Sequence, residues 1–375
     1  MEKKTLHIIS LDIPFPPSKG SVISIYHRIK SLHEAGIEII LHAFYKEFSL
    51  PSELAMICKR IYLLPRKKMW HAKNLHTPLF VQSRRSNPMV EVLLQDDHPI
   101  LFEGLHTLYH FNDPRLATRK KFIRLHNIES NYYSHLYRVE QHILKKNYYL
   151  FESNKLLAFE KKMLPLADAV FVISEHENQL ISQHPTKSIF IPPFIDPVIK
   201  SKPGMGEYAL YHGDLSIKEN EKAARFLIQD VLPNIDFPLK IAGRNPSHIL
   251  KRLILKNKNC ILVENPSNDE MFELIENAQV ILAPFSQSSG YKIKLLESLR
   301  LGRHIITSDI IQDFKELRPF MHFATRSQEW STTLNELKTS EYTQELYKIR
   351  KEFLTLFFDN KKNAQKMIGI IFPEI

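Results

Sequence analysis

Residues 280–308 restrict the fold more than any other stretch of the chain. Two apolar runs, Val280-Ile281-Leu282-Ala283-Pro284 and His304-Ile305-Ile306-Thr307-Ser308, flank a loop of small residues and a segment of helical period. Buried strands joined through a helix lie parallel, so the stretch reads as a βαβ unit. The loop at 286–290 offers hydroxyls for a helix N-cap and Gly290 for close approach of a ligand. Gly302 sits where a helix would end in the left-handed conformation. On a 3.6-residue wheel Ile293, Leu295, Leu296 and Leu299 share one arc, and Lys294, Glu297 and Ser298 lie outside it. Lys292 falls in the arc, but in the first turn, where its stem reaches past the core toward the strand ends. A helix N-terminus favours an anion there, so Lys292 adds positive charge where a diphosphate would sit. Glu297, a turn further on, can accept two hydrogen bonds from a sugar diol. Taken alone, these charges equally describe a solvated, salt-bridged helix face.

The spacing of Gly290, Lys292, Lys294, Glu297 and Gly302 resembles the Gly-x-[Arg/Lys]-x-Lys-x-x-Glu-x-x-x-x-Gly donor signature of retaining GT-B glycosyltransferases, family 4 (group 1) in particular. The resemblance implies an α/β chain of GT-B architecture, with two Rossmann-like domains facing a cleft and a C-terminal helix crossing back to the N-terminal domain. It implies transfer of a sugar from a nucleotide diphosphate donor to an acceptor hydroxyl, with retention, in glycan or glycoconjugate biosynthesis. Ser289, Gly290, Tyr291, Lys292, Ile293 and Glu297 then belong to the donor site. Many members carry a second glutamate eight residues before the ribose-binding one; this chain has Ser289 there.

At 375 residues the chain is long enough for two domains, each with its own core. The formal charge of +10 points to phosphate-rich partners: a nucleotide, a lipid surface or nucleic acid. No helix-turn-helix, zinc-finger or RNP signature accompanies it, so nucleic acid is not the expected partner. Cys58 and Cys260 match no ligand spacing, which suits a reducing compartment. There is no signal-peptide core and no apolar run of about 18 residues, so the expected location is cytoplasmic. The absence of Asp-x-Asp disfavours a metal-bridged diphosphate. Neither metal nor cofactor is expected, and the leaving-group charge falls to Lys292, Arg244 and helix amides.

In chain order, residues 1–194 read as the acceptor-side domain. An apolar run at 6–11, a loop ending at Gly20, a helical pattern to Gly36 and a strand at 37–44 form a Rossmann-like opening without Gly-x-Gly-x-x-Gly. In the family it resembles, Gly20 matches the glycine of the donor-phosphate loop; its other reading is a tight turn. Apolar runs at 61–64, 100–102 and 122–125 continue the sheet, and Glu103, His106, His126, Asn127 and Glu129 follow strand ends, where α/β sheets bind ligands. A histidine in such a place is either a structural hydrogen-bonder or a catalyst. Similar His-Asn motifs in the family face the sugar end of the donor, which makes His126 the candidate.

Residues 130–166 have helical period with a break expected near Asn147, and their tyrosines and lysines suit either packing on the sheet or an anionic membrane surface. The second role would put the protein at the inner face of the membrane, with a lipid-linked rather than a free glycan acceptor. Prolines mark 195–206 as a linker, and 207–359 reads as the nucleotide-sugar domain. Its first strand, 208–213, ends in Gly213, with a helix expected at 219–231. Asp214 and Asn220 stand where many relatives carry a basic pair, and Arg244, after the strand at 239–242, compensates. Residues 360–375 form the helix crossing back. Two rival readings remain open: a nucleotide-sugar epimerase on the same fold, and a non-catalytic basic protein that binds nucleotides or nucleic acid.

Overall fold

The computed structural model describes residues 4–17, 20–46, 48, 52–68, 76–183, 185–285, 293–309 and 315–373. The chain divides into two compact units, one of residues 1–196 with 358–375, the other of residues 197–288 with 292–357.

The first unit is built on strands β1 (Thr5–Ser10), β2 (Glu38–Tyr45), β3 (Arg60–Pro65), β4 (Ile100–Glu103), β5 (Lys121–Arg124), β6 (Ala169–Val172) and β7 (Ser188–Phe190). They pair in parallel in the order β3-β2-β1-β4-β5-β6-β7. Every residue of β1, β4, β5 and β6 is buried, which is why these strands appear in the sequence as continuous rather than alternating apolar runs. The helix Gly20–Glu34 covers one face through Val22, Ile25, Ile29 and Leu32 and is followed by Gly36 at φ +88°, the left-handed residue that lets the chain turn into β2. Ala364, Met367 and Ile371 of the helix Asn360–Ile371 join the same apolar cluster. Asp359 caps that helix, and Asn360 clasps Ile195 by donating to its carbonyl at 2.7 Å and accepting from its amide at 3.3 Å.

The second unit repeats the plan with β8 (Ala209–Asp214), β9 (Leu239–Arg244), β10 (Cys260–Glu264), β11 (Val280–Ala283), β12 (His304–Ser308) and β13 (His322–Ala324), ordered β10-β9-β8-β11-β12-β13 and parallel throughout. Both orders reverse direction beside the first strand, between β1 and β4 and between β8 and β11. Such a switch point opens a crevice at the carboxyl ends of the strands.

Three local expectations change. The helical break comes at residues 140–142, between helices Glu129–Val139 and Ile143–Met163, because the Glu140 carboxylate accepts from the amides of Gln141 and His142 at 2.9 and 3.0 Å. The proline-rich segment is held by backbone bonds. The amides of Lys200 and Ser201 both donate to Arg300 O at 2.9 Å, and Gly204 bridges to Tyr342. Ser298 lies inside the buried arc of the helix Ile293–Leu301. Gly302 is not left-handed. A Cβ there would come within 2.3 Å of Ile281 Cδ1, so the position needs glycine for close helix–strand packing.

Candidate functional site

In the second unit the switch-point crevice is lined from three sides. β8 ends at Gly213 and Asp214, and a Cβ on Gly213 would press on the Asn220 side chain at 3.3 Å. Asn220 is fixed there: its Nδ2 donates to Asp214 O at 2.9 Å, and its carbonyl accepts from the Tyr211 hydroxyl at 2.9 Å. β9 arrives alongside at Gly243, where a Cβ would overlap Gly213 O at 1.9 Å, so only glycine lets the two strand ends meet. Beyond it Arg244 is exposed, in register with Asp214, and its guanidinium makes no hydrogen bond among the described residues.

From the β11 side the helix Ile293–Leu301 brings Lys294 to the crevice. Its Nζ lies 5.1 Å from the centroid of the Tyr211 ring and 4.8 Å from that of Phe285, and it donates to Asn220 Oδ1 at 3.4 Å. Aromatic faces attract a cation, so the two rings help hold Lys294 at the junction of β8 and β11. Below it, His212 and Ser298 share a hydrogen bond at 3.2 Å, and Ser298 donates to Lys294 O at 2.8 Å. Burial, then the Lys294 charge, pushes His212 down to about 3, so the ring stays neutral and serves to orient the helix. Ile293 and Glu297 are half-buried on the same helix. Ser289, Gly290, Tyr291 and Lys292 lie outside the described residues.

In the first unit His126 follows β5 and is 12% exposed. Its Nε2 donates to Glu103 Oε2 at 3.0 Å, and Arg28 Nε donates to the other carboxylate oxygen at 2.9 Å. Burial alone would raise the Glu103 carboxyl; Arg28 and the His126 hydrogen bond outweigh it, and the net shift is downward. Burial lowers His126 despite Glu103, so the ring is neutral near pH 7, with Nε2 committed to the carboxylate and Nδ1 left as an acceptor. Gly104, at φ +72°, stands beside this ring: a Cβ would lie 3.5 Å from His126 Cδ2 and 3.4 Å from both His106 Nδ1 and Leu11 Cδ2. Gly20 opens the helix after β1, with open space where a Cβ would stand.

The structure thus gathers Gly213, Asn220, Arg244 and the helix bearing Ile293 and Glu297 at one crevice of the second unit, and sets Gly20 and His126 at the carboxyl side of the first sheet. The sequence reading did not assign the Arg28–Glu103 pair that holds His126 or the His212–Ser298 contact, and it placed Lys294 within the donor signature without a role of its own. Glu103, a charge closing an apolar strand, and Arg28, in the apolar arc of a helix, are the signals that could have found the first.

Residues 206–324 match the family described as Glycosyl transferases group 1. A Klebsiella pneumoniae protein described as an uncharacterized 44.6 kDa protein in the cps region is 27% identical over 327 residues, covering 81% of this chain and 82% of the relative. Among solved structures, sucrose-phosphate synthase from Thermosynechococcus elongatus superposes with a TM-score of 0.74 at 15% identity over 97% of each chain. Anabaena HepE, solved in complex with UDP and glucose, does so at 0.64 and 12% identity over the whole of both chains. At these identities the likeness is one of fold, the GT-B fold with its two Rossmann-like parallel sheets.

Proposed function

We propose that this chain is a glycosyltransferase that moves a sugar from a nucleotide diphosphate donor to an acceptor hydroxyl, with retention and without metal, in glycan or glycoconjugate biosynthesis. One observation carries the reading: Lys294 Nζ sits over Tyr211 and Phe285 at the β8/β11 switch point, within a span that matches a glycosyltransferase family. A lysine at the carboxyl ends of parallel strands is where a nucleotide diphosphate finds both a cation and backbone amides.

In the proposed reaction the bond from the anomeric carbon to the diphosphate oxygen breaks, and its electron pair leaves with the nucleotide. The acceptor oxygen bonds to the anomeric carbon on the face the diphosphate leaves, and its proton passes to the departing phosphate oxygen. Lys294, Arg244 and Lys292 offset the charge that grows on the diphosphate, and Glu297 accepts from the ribose hydroxyls. His126, fixed by Glu103, offers Nδ1 to a hydroxyl of the donor sugar. The acceptor is a glycan or a lipid-linked glycan. For the second kind, the exposed Ile143, Leu144 and Phe151, set among Lys145, Lys146, Lys161 and Lys162, supply a surface suited to anionic lipid. Among the described residues no helix is long and apolar enough to cross a membrane.

The test is a thermal-shift screen over UDP, GDP, ADP and their sugars. A ligand at a hundred times its dissociation constant stabilises by about 2.7 kcal/mol, and a flat response to all of them sinks the donor site. Incubating the bound nucleotide sugar without acceptor and finding its epimer would replace transfer with epimerisation. Transfer that needs added Mg or Mn after excess EDTA would overturn metal independence.

A further inference from the structure

Resting on the reading above, we propose that the acceptor is acidic, and that its carboxylate or phosphate is bound by Arg66 and Arg84 at the carboxyl edge of the first sheet. Arg66 follows β3 and Arg84 follows the short helix Leu79–Gln82, yet both converge on the loop after β1. Arg66 Nη2 and Arg84 Nε donate to the same carbonyl, Leu11 O, at 2.8 and 3.0 Å. Two guanidinium groups on one neutral acceptor repel each other, and Arg84 is only 5% exposed. The one carboxylate paired here among the described residues is Asp12, 3.0 Å from Arg66 Nη2. Burial, then Arg66, pulls Arg84 down to about 9, against Asp12 and Glu129. Glu129 supplies little counter-charge, since burial and Glu160 hold its carboxyl at about 8.

Donors also outnumber acceptors. Arg84 spends Nε on Leu11 and Nη1 on Phe80 O and Ser83 Oγ, which leaves Nη2 without a partner among the described residues. Arg66 Nε is buried without a partner, and so is Nδ1 of His106, the ring stacked on Phe80 with centroids 4.1 Å apart. If the arginines served only to anchor the Leu11 loop, Arg84 alone would suffice, and a second guanidinium set beside it, 23% exposed and answered by Asp12 alone, would add repulsion with no return. The pair also lies near the candidate catalytic histidine: a Cβ placed on Gly104 would come within 3.4 Å of Leu11 Cδ2, the residue whose carbonyl the arginines hold, and 3.5 Å of His126 Cδ2. A forked, doubly charged group of donors fits a carboxylate or phosphate oxygen pair and has nothing comparable to offer a neutral sugar.

The experiment is calorimetric titration of the full chain with glucose, glucuronate and glucose 6-phosphate, alongside a nucleotide titration of each preparation. Both acids, or one of them, should bind and glucose should not; whichever acid binds more tightly separates carboxylate from phosphate recognition. Arg66→Gln should weaken acid binding by about tenfold or more and leave nucleotide binding unchanged. Lys294→Met should do the reverse. Should Arg66→Gln fail to fold, Arg66→Lys carries the same comparison with an expected loss of about threefold. Equal binding of glucose and the acids, or acid binding that follows Lys294 and ignores Arg66, overturns the proposal. Failure of the nucleotide titrations alone would strike the donor reading and leave the acid site standing.

Discussion

Nε2 of His126 lies 3.0 Å from Oε2 of Glu103, and that carboxylate is fully buried between the histidine and Arg28. The pair separates two effects that are usually mixed. Glu103→Gln strands the buried Arg28 charge and should cost about 3 to 5 kcal/mol, seen as a large drop in melting temperature. His126→Asn leaves the Arg28–Glu103 pair in place; it should fold with a smaller loss and reduce transfer by roughly a hundredfold. An active His126→Asn enzyme would show that the ring is only a prop for Glu103.

In the proposed reading Lys294 and Glu297 divide the donor between them. Lys294→Met keeps an unbranched side chain beside the Tyr211 and Phe285 rings that Nζ lies over and removes the charge, so the fold should survive. Loss of a charge-assisted contact of about 1.5 to 3 kcal/mol predicts nucleotide affinity weaker by roughly ten- to a hundredfold. Glu297→Gln should weaken nucleosides as well as nucleotides, because its proposed partner is the ribose. Calorimetry with UDP and uridine, or the base that binds, distinguishes the two losses.

Glu129 makes stability depend on pH in a calculable direction. Its carboxyl titrates at 4.5 when exposed and at about 8 in the fold. Between those values the unfolded chain has released a proton that the folded chain keeps, so stability from this group is full below 4.5 and falls as pH rises to about 8. Glu129→Gln removes the dependence. Against wild type, its melting temperature should gain steadily from pH 5 to pH 8, and parallel curves for the two proteins would refute the protonated carboxyl.

Exposed Ile143, Leu144 and Phe151 beside lysines predict weak, reversible binding to anionic vesicles, at about 1 kcal/mol per basic residue near the surface. Sedimentation with phosphatidylglycerol vesicles at low salt should carry the protein down, and neutral vesicles should not. Leu144→Asp with Phe151→Asp should abolish it, while no pelleting of wild type ends the membrane reading.

The strands were legible because parallel sheets bury both faces: the runs at 100–102, 122–125 and 280–284 stand out without any alternation. The Rossmann openings were legible for a related reason, since Gly213 and Gly36 mark where helix and strand exchange direction. What stayed hidden depends on contacts between distant segments. Arg66 and Arg84 meet only because both reach Leu11 O, and the aromatic seat of Lys294 combines a ring from β8 with one after β11. Local signals also misled where a side chain competed with the backbone, as at Glu140, which stops a helix that period alone would carry on.

The helix Asn360–Ile371 also bears on biosynthesis. Ala364, Met367 and Ile371 belong to the apolar cluster that Ile25, Ile29 and Leu32 begin. A ribosome therefore completes every strand of the second sheet before it supplies the last pieces of the first unit's interior. Until then that side of the nascent chain presents an incomplete apolar face to chaperones, and the segment translated first is the one whose packing closes last.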